Sequence, residues 1–501
     1  MTELFSLIKS LHDDEIKAIQ SSFKKTGKGE SEQLLLSKLF NSIISGNGKT
    51  KTNAELSVLL YQQHKPGAAA KAKSRLFNWI LSVLSSDHLL QKEHLFDPAD
   101  KHIIRVRNKM LQFRVIYRKK NRADIGVLFH VLNEVIKEAR EYEQYDILVE
   151  ALSFKKYLLM LRKGVAQIKE IEKEIVDYSF AHQAILKTNE HYFNLVTNQD
   201  VIRRIKPQRM REMTKSAILE LNDFIKRTDS ALIKYMTKLL ELDYLISTGQ
   251  HIATIDVCNE VITHLNSHPT LYRKERMGFI YDNISLCEIY KQDFQAAIAS
   301  TQKAQQYYSK NGINYMFSKQ QEFYAAFYAG NYKAALEIIK NLLTFPLMNT
   351  GEYRYDKYLF LKACTLFQLK AYRDALAICN QTLSITKDKG RWDIGIRYLR
   401  FMCLIELAET DTAHPSIEAL RKMVGRSKFI SARDQLIYKT LNEFSYTGFD
   451  PVPSVKLAKY LNRLSLKDGS YAWNYYTHEL IPIQIWMNSY LKKKRRKKKV
   501  A

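Results

Sequence analysis

The sequence predicts an all-α chain built as a solenoid of stacked helix pairs, and three observations predict it. Between about residues 230 and 430 one short pattern recurs: an aromatic, two residues, a small residue and an aliphatic. It stands as Phe294…Ala297-Ile298, Tyr332…Ala335-Leu336 and Tyr372…Ala375-Leu376, with a weaker copy at His251…Thr254-Ile255 and a degenerate one at His414…Ile417. The small-residue slots at 254, 297, 335, 375 and 417 step by about 43, 38, 40 and 42 residues. Self-similarity at such a period marks helix pairs that bury their faces against the next pair. Second, glycine (17) and proline (9) are scarce among 501 residues, which favours long helices over turn-rich β or α/β folds. Third, apolar residues outside the repeats fall at the three- and four-residue steps of amphipathic helices. The chain is also longer than one compact core needs, so an array or several modules is expected.

Residues 1–100 read as a small helical module. Leu4, Leu7, Ile8 and Leu11 form one apolar stripe; Leu34, Leu35, Leu39, Phe40 and Ile43 form another. Thr52 with Glu55 fits a capping box. Leu76, Phe77, Ile80, Leu81 and Leu84 mark a strong amphipathic helix behind the basic turn Lys71, Lys73, Arg75. Gly46-Asn47-Gly48-Lys49-Thr50 imitates the end of a P-loop, but position 43 is Ile and a helix precedes it. A phosphate cradle needs a glycine there and a strand beforehand, so an interhelix loop is the plain reading.

Residues 101–229 read as a helical region containing a heptad hairpin. Val106, Met110, Phe113 and Tyr117 line one face of the first helix, and Arg105, Arg107, Lys109, Arg114, Arg118, Lys119, Lys120 and Arg122 crowd the rest. Because the aromatics share the buried stripe, a solvated basic face is favoured over a nucleic-acid surface. Further on, Ile168, Ile171, Ile175, Tyr178, His182, Ile185, Asn189, Tyr192 and Val196 keep a heptad rhythm, which returns from Ile218 to Ile246. Two such helices suggest a long antiparallel hairpin with a basic tip at Arg203, Arg204, Lys206, Arg209 and Arg211; two ordinary solenoid helices are the equal alternative. Asn189 and His182 at core-type positions could fix register, or seed a homodimer if the seam faces a second copy.

Residues 230–430 resemble the tetratricopeptide-repeat (TPR) family. Its second helix opens with an aromatic and carries a small residue at the helix crossing, as in Phe294/Ala297, Tyr332/Ala335 and Tyr372/Ala375, and Pro346 falls near its closing proline. The first-helix tryptophan and glycine of the consensus are missing, and the period is nearer 40 than 34 residues. The resemblance covers about 200 residues. It implies a TPR-like right-handed superhelix and a non-enzymatic scaffold or adaptor holding a protein or peptide in a concave groove. The opening of the chain is similar to the start of uncharacterised bacterial proteins that carry TPR-like helices. Residues 431–491 read as capping helices, the last running from about Trp473 to Leu491, and 492–501 as a disordered basic tail.

The formal charge is +26, of which eight cations form the run Lys492, Lys493, Lys494, Arg495, Arg496, Lys497, Lys498 and Lys499. Such a block binds polyanions with steep salt dependence. A polyanion binder of RNA, DNA or ribosomes, using the tail, the 203–215 tip and the 105–122 face, is therefore the alternative function; a solubilising tail is the plain one. The five cysteines show no CxxC spacing and sit in packing positions, which points to reduced core thiols and a reducing compartment. His264 and His268 lack the carboxylate of a zinc helix, and His88, His94 and His102 near Asp87, Asp97 and Asp100 match no metal spacing. No nucleophile elbow occurs. No enzyme activity, metal or cofactor is expected. No signal peptide or apolar run of membrane-spanning length appears, so a cytoplasmic protein is expected, or a nuclear one if the source cell has a nucleus.

Overall fold

The computed structural model describes residues 2–23, 30–46, 52–86, 96–119, 124–161, 165–197, 207–346, 348, 355–385, 392–426, 430–450 and 452–500. Among them all regular structure is helical, with 23 α-helices and no strand. The chain divides into two compact units, 1–241 with 263–273, and 242–262 with 274–501.

Unit 1 opens with α1 (Thr2–Ser10), α2 (Asp13–Ser22), α3 (Glu30–Ser45), α4 (Asn53–Tyr61) and α5 (Pro66–Leu84). Leu39, Phe40, Leu56, Leu76 and Ile80 are fully buried between them. The Thr52/Glu55 box forms: Glu55 donates its amide to Thr52 Oγ1 at 3.2 Å and accepts from the Thr52 amide at 2.6 Å. Next come α6 (Pro98–Arg118), α7 (Ile125–Glu141), α8 (Tyr145–Leu161), α9 (Val165–Tyr192) with a π-helical end at Phe193–Thr197, and α10 (Pro207–Thr228).

The α9–α10 pair is antiparallel. Phe180 meets Phe224 edge-on at 5.8 Å, and further along His191 meets Glu220 at 2.8 Å. Two details depart from the heptad reading. Asn189 is exposed, while Ala184 and Thr188, two small residues on the neighbouring face, are buried. The second run is also not one helix. It breaks at Asp229 (φ 50°), and the chain restarts as α11 (Ala231–Ser247).

Repeats follow: α12 (His251–Ser267), then the pairs α13 (Lys274–Tyr290) and α14 (Phe294–Gln305), α15 (Ile313–Tyr328) and α16 (Tyr332–Leu343), α17 (Tyr355–Gln368) and α18 (Tyr372–Ile385), α19 (Trp392–Glu406) and α20 (Thr410–Arg426), and α21 (Ala432–Tyr446) and α22 (Val455–Leu464). The aromatic of each motif is the first residue of its helix, and Ala297, Ala335 and Ala375 are fully buried. An alanine there lets the crossing helix backbones approach closely, and any larger side chain would wedge them apart.

The turn inside each of the first four pairs has one geometry. A residue in the left-handed region (Gln292, Gly330, Lys370, Ala408) precedes an amide bonded five residues back: Asp293 to the Glu288 carbonyl, Asn331 to Ala326, Ala371 to Leu366, Glu409 to Leu404, at 2.9–3.0 Å. This is the Schellman closure that satisfies the last carbonyls of a helix. The same closure joins α7 to α8 at Glu143, with Gln144 bonded to the Ala139 carbonyl at 2.8 Å, so the pair fold also occurs in unit 1. Together these make the described residues an all-α array of stacked helix pairs. The turn geometry corrects the register of the last motif. Helix α20 begins at Thr410, so the small slot is the fully buried Ala413, one turn before Ile417. Thr410 stands where an aromatic was sought, which hid it.

The C-terminal part differs most from expectation. Residues 471–482 form no helix; α23 runs from Ile483 to Val500. Gly469 (φ 85°) turns the chain, the Asn474 side chain accepts from the Tyr476 amide, and Pro482 precedes the first helical residue. A proline there supplies a fixed φ and lacks the amide a helix interior would require. The basic run continues α23 as helix through Val500. The buried stretch Ile483–Leu491 has already nucleated the helix, so each added residue costs only propagation, and cations are favourable near its C-terminus.

Candidate functional site

The first helices of the unit 2 pairs are buried on nearly every side, whereas the second helices bury one stripe. In α19 eleven residues between Asp393 and Ile405 are buried, but in α16 only Ala335, Ile339 and Leu342. The extra cover on the first helices comes from the chain itself. Residues 471–482 lie as an irregular strap of turns and bends that touches α13, α15, α19 and α21.

The front of the strap is aromatic. Tyr290 Oη of α13 donates to Asn474 Oδ1 at 2.8 Å, and Tyr328 Oη of α15 donates to the Tyr475 carbonyl at 2.6 Å. Gln321 Nε2 donates to Tyr476 Oη at 2.6 Å. Tyr475 packs edge-on against Tyr290 and Tyr328, with centroids 5.6 and 4.8 Å away, and Tyr476 meets Tyr324 edge-on at 4.9 Å. Trp473 stands on Tyr328 and Tyr475 and donates its indole N–H to the Glu479 carbonyl at 2.8 Å. Edge-to-face geometry puts the positive ring edge on the negative ring face, adding to simple burial. Burial raises the phenol pKa values of Tyr328 and Tyr476 well above the ordinary range, so both stay neutral.

The back of the strap is polar and more deeply held. Glu479, only 4% exposed, pairs with Arg433 of α21 through two bonds of 2.5 and 2.9 Å. Arg433 also donates to the Leu464 and Tyr471 carbonyls and to Gln484, which uses the planar fork of a guanidinium fully. Glu479 Oε1 further accepts from the Ile483 amide, capping α23. His478 meets Asp434 Oδ1 at 2.7 Å, and Tyr398 of α19 donates to the same oxygen at 3.1 Å. Burial alone would raise the Asp434 pKa; the His478 contact and the capping Ser431 outweigh it and hold the carboxyl below the usual range. Beneath, a Cβ on Gly395 would lie 2.1 Å from the His478 carbonyl, so only glycine lets the strap pass at this height. Trp486 of α23 then donates to Glu406 at 3.1 Å.

Beside the strap the same helix faces stay partly open. Phe279 is 43% and Phe317 46% exposed, each eleven residues before a strap-contacting tyrosine, Tyr290 and Tyr328. Eleven residues is close to three helical turns, so each pair shares one face.

The residues singled out in the sequence are distributed as follows. Phe294, Tyr332 and Tyr372 pack as half-buried helix starts, Tyr332 on Phe327 at 5.4 Å and Tyr372 on Phe367 at 5.1 Å. Lys492, Lys493 and Arg495 lie exposed on α23; Lys493 reaches Glu406 at 3.3 Å and Lys494 stands over the Tyr490 ring. The side chains of Arg496, Lys497, Lys498 and Lys499 lie outside those described, as do Arg203, Arg204 and Lys206. Arg209 and Arg211 are exposed in the first turn of α10. The basic face of α6 is largely matched by acids: Arg107 with Asp146, Lys109 with Glu134 and Glu138, Arg114 with Glu150.

Positions 47–50, His88 and His94 lie outside the described residues; His102 stacks on Tyr142. His264 Nε2 faces the Ala231 carbonyl at 3.0 Å. All five cysteines are free and buried, and burial raises the Cys258 and Cys364 thiols and moves Cys287 to about 11, far from a nucleophile's range. Among the described residues no helix is long and apolar enough to cross a membrane. The strap was missed from sequence. Its one signal was the departure from helical spacing between Gly469 and Pro482.

No family model and no curated protein matches the sequence. Among solved structures the chain is similar to the apo form of RapI, with TM-score 0.44 and 12% identity over 64% of this chain and 86% of that one. It is similar to a signal-transduction ATPase with numerous domains from Pyrococcus horikoshii, which bears a tetratricopeptide repeat sensor; the TM-score is 0.42 and the identity 10% over 88% of this chain and 66% of that one. A third likeness is to the TPR2AB domain of yeast Sti1 in its pHSP90 complex, with TM-score 0.23 and 12% identity over 54% of this chain and 99% of that one.

Proposed function

We propose that the protein is a non-enzymatic interaction scaffold whose first-helix face in unit 2 receives an extended segment of a partner protein. The observation that carries this reading is the strap: the face already holds a non-helical stretch of polypeptide, which touches four first helices through ring contacts and side-chain hydrogen bonds. Stacked repeats present such a continuous surface without any catalytic group. The part-exposed Phe279 and Phe317 extend that surface beyond the strap.

Peptide display against the full-length protein tests it, followed by hydrogen-exchange footprinting of the enriched peptides. The expected footprint is 276–290 and 317–328, retained when residues 492–501 are deleted. A footprint confined to the terminal helix, lost on that deletion and weakened steeply by salt, would favour polyanion capture by the cation run and overturn the scaffold reading. Failure to enrich any peptide would also overturn it.

A further inference from the structure

We propose that residues 472–476 are a displaceable plug, and that the surface beneath them takes a partner peptide carrying two neighbouring aromatic side chains. This deepens the scaffold reading and rests on it.

The strap is held unequally along its length. From Glu479 onward it is locked: the carboxylate is buried on Arg433, Leu480 and Ile481 are buried, and α23 packs behind them through Trp486 and Met487. Ahead of it, residues 465–470 are all exposed, Asn474 is exposed, and Tyr471–Tyr476 are otherwise only half-buried. The Ala472 amide bonds the Gly469 carbonyl and the Tyr476 amide the Asn474 side chain, both within the strap. A segment held to its surroundings by side chains rather than by a backbone ladder can open while those surroundings stay folded.

What the plug offers its helices is replaceable chemistry. The rings of Tyr475 and Tyr476 fill a nest formed by Tyr290, Tyr324 and Tyr328, and ring contacts of this kind accept any aromatic pair of similar reach. The Tyr328 hydroxyl bonds a main-chain carbonyl, which every peptide has. Gln321 bonds a phenol oxygen, which favours tyrosine at the second position. Leaving the nest bare exposes three tyrosine rings, so the open state is a minor one until a substitute fills the nest. An intramolecular plug competes at high effective concentration, so the wild-type chain admits the peptide weakly and a chain with a weakened plug admits it well.

The experiment uses a fluorescein-labelled peptide with the sequence of residues 469–478, titrated by anisotropy into the full-length protein. The Tyr475→Ala/Tyr476→Ala double variant is expected to bind it about tenfold or more tightly than wild type. A peptide with both tyrosines changed to serine is expected to bind neither. Asn474→Ala, at an exposed position, removes the bonds its side chain accepts from Tyr290 and from the Tyr476 amide while leaving every ring of the nest in place, and is expected to give a smaller gain in the same direction. It stands in if the double variant does not fold. Equal affinity for wild type and variants, or binding to none of them, overturns the plug. Displayed peptides that footprint on 276–290 and 317–328 with affinities unmoved by the plug variants would leave the scaffold reading standing alone.

Discussion

Asp282 of α13 shows how a single half-buried side chain records the packing of two helices and the turn before the second. Its carboxylate accepts from Ser318 Oγ at 2.7 Å and Tyr308 Oη at 3.0 Å, yet burial outweighs both bonds and lifts its pKa to about 6. The folded state therefore holds the proton over a range in which the unfolded chain has lost it. The associated stability is full below the ordinary aspartate range and is lost as pH rises through about 6. Relative to Asp282→Asn, wild type should lose on the order of 2–3 kcal/mol between pH 4 and pH 7.5. Urea unfolding of both proteins at the two pH values measures it, and a constant difference would refute the assignment. At this scale the small slots were legible, because Ala297, Ala335 and Ala375 repeat with the pairs. Asp282 was not, since its partners lie 26 and 36 residues away in sequence and share no pattern with it.

At the scale of elements, the turns explain both what the sequence revealed and what it hid. Gly330 announces a left-handed turn, but Gln292, Lys370 and Ala408 adopt the same conformation without advertising it. An L residue there is strained, and the packing of the two helices it joins imposes it. The consensus glycine can thus be absent while its geometry persists, which also hid the α7–α8 pair of unit 1. The break at Asp229 was masked by the continuous heptad, yet it has its own cap. Glu143, on the turn between α7 and α8, accepts from Ser230 Oγ at 2.5 Å and from the Ala231 and Leu232 amides at 2.7 and 3.2 Å. It serves α11 as an N-cap supplied from elsewhere in the chain. Glu143→Ala should cost about 1–2 kcal/mol of unit 1 stability, with Glu143→Gln recovering part of it. Denaturant midpoints of the three proteins check this, and a neutral alanine variant would contradict the capping role.

At the scale of the whole molecule, the all-α repeat class was readable because solenoid packing writes its period into the chain. The strap was not readable. Trp473, Tyr475, Tyr476 and Ile483 suggested a helical stripe, whereas tertiary contacts with Tyr290, Tyr328 and Arg433 hold residues 473–482 out of a helix. Nothing local specifies those partners, which lie from 38 to 184 residues away. Function on this account resides in the face the strap covers and not in a reactive group. The most direct measurement of that claim is hydrogen exchange of the full-length protein, resolved to short peptides. The amides of 469–476 should exchange far faster than those of 483–491 and of the α15 and α19 helices, because only the front of the strap opens without unfolding unit 2. Uniform protection from 469 through 491, lost in one step with the helices, would show the segment to be a fixed part of the core and contradict the account.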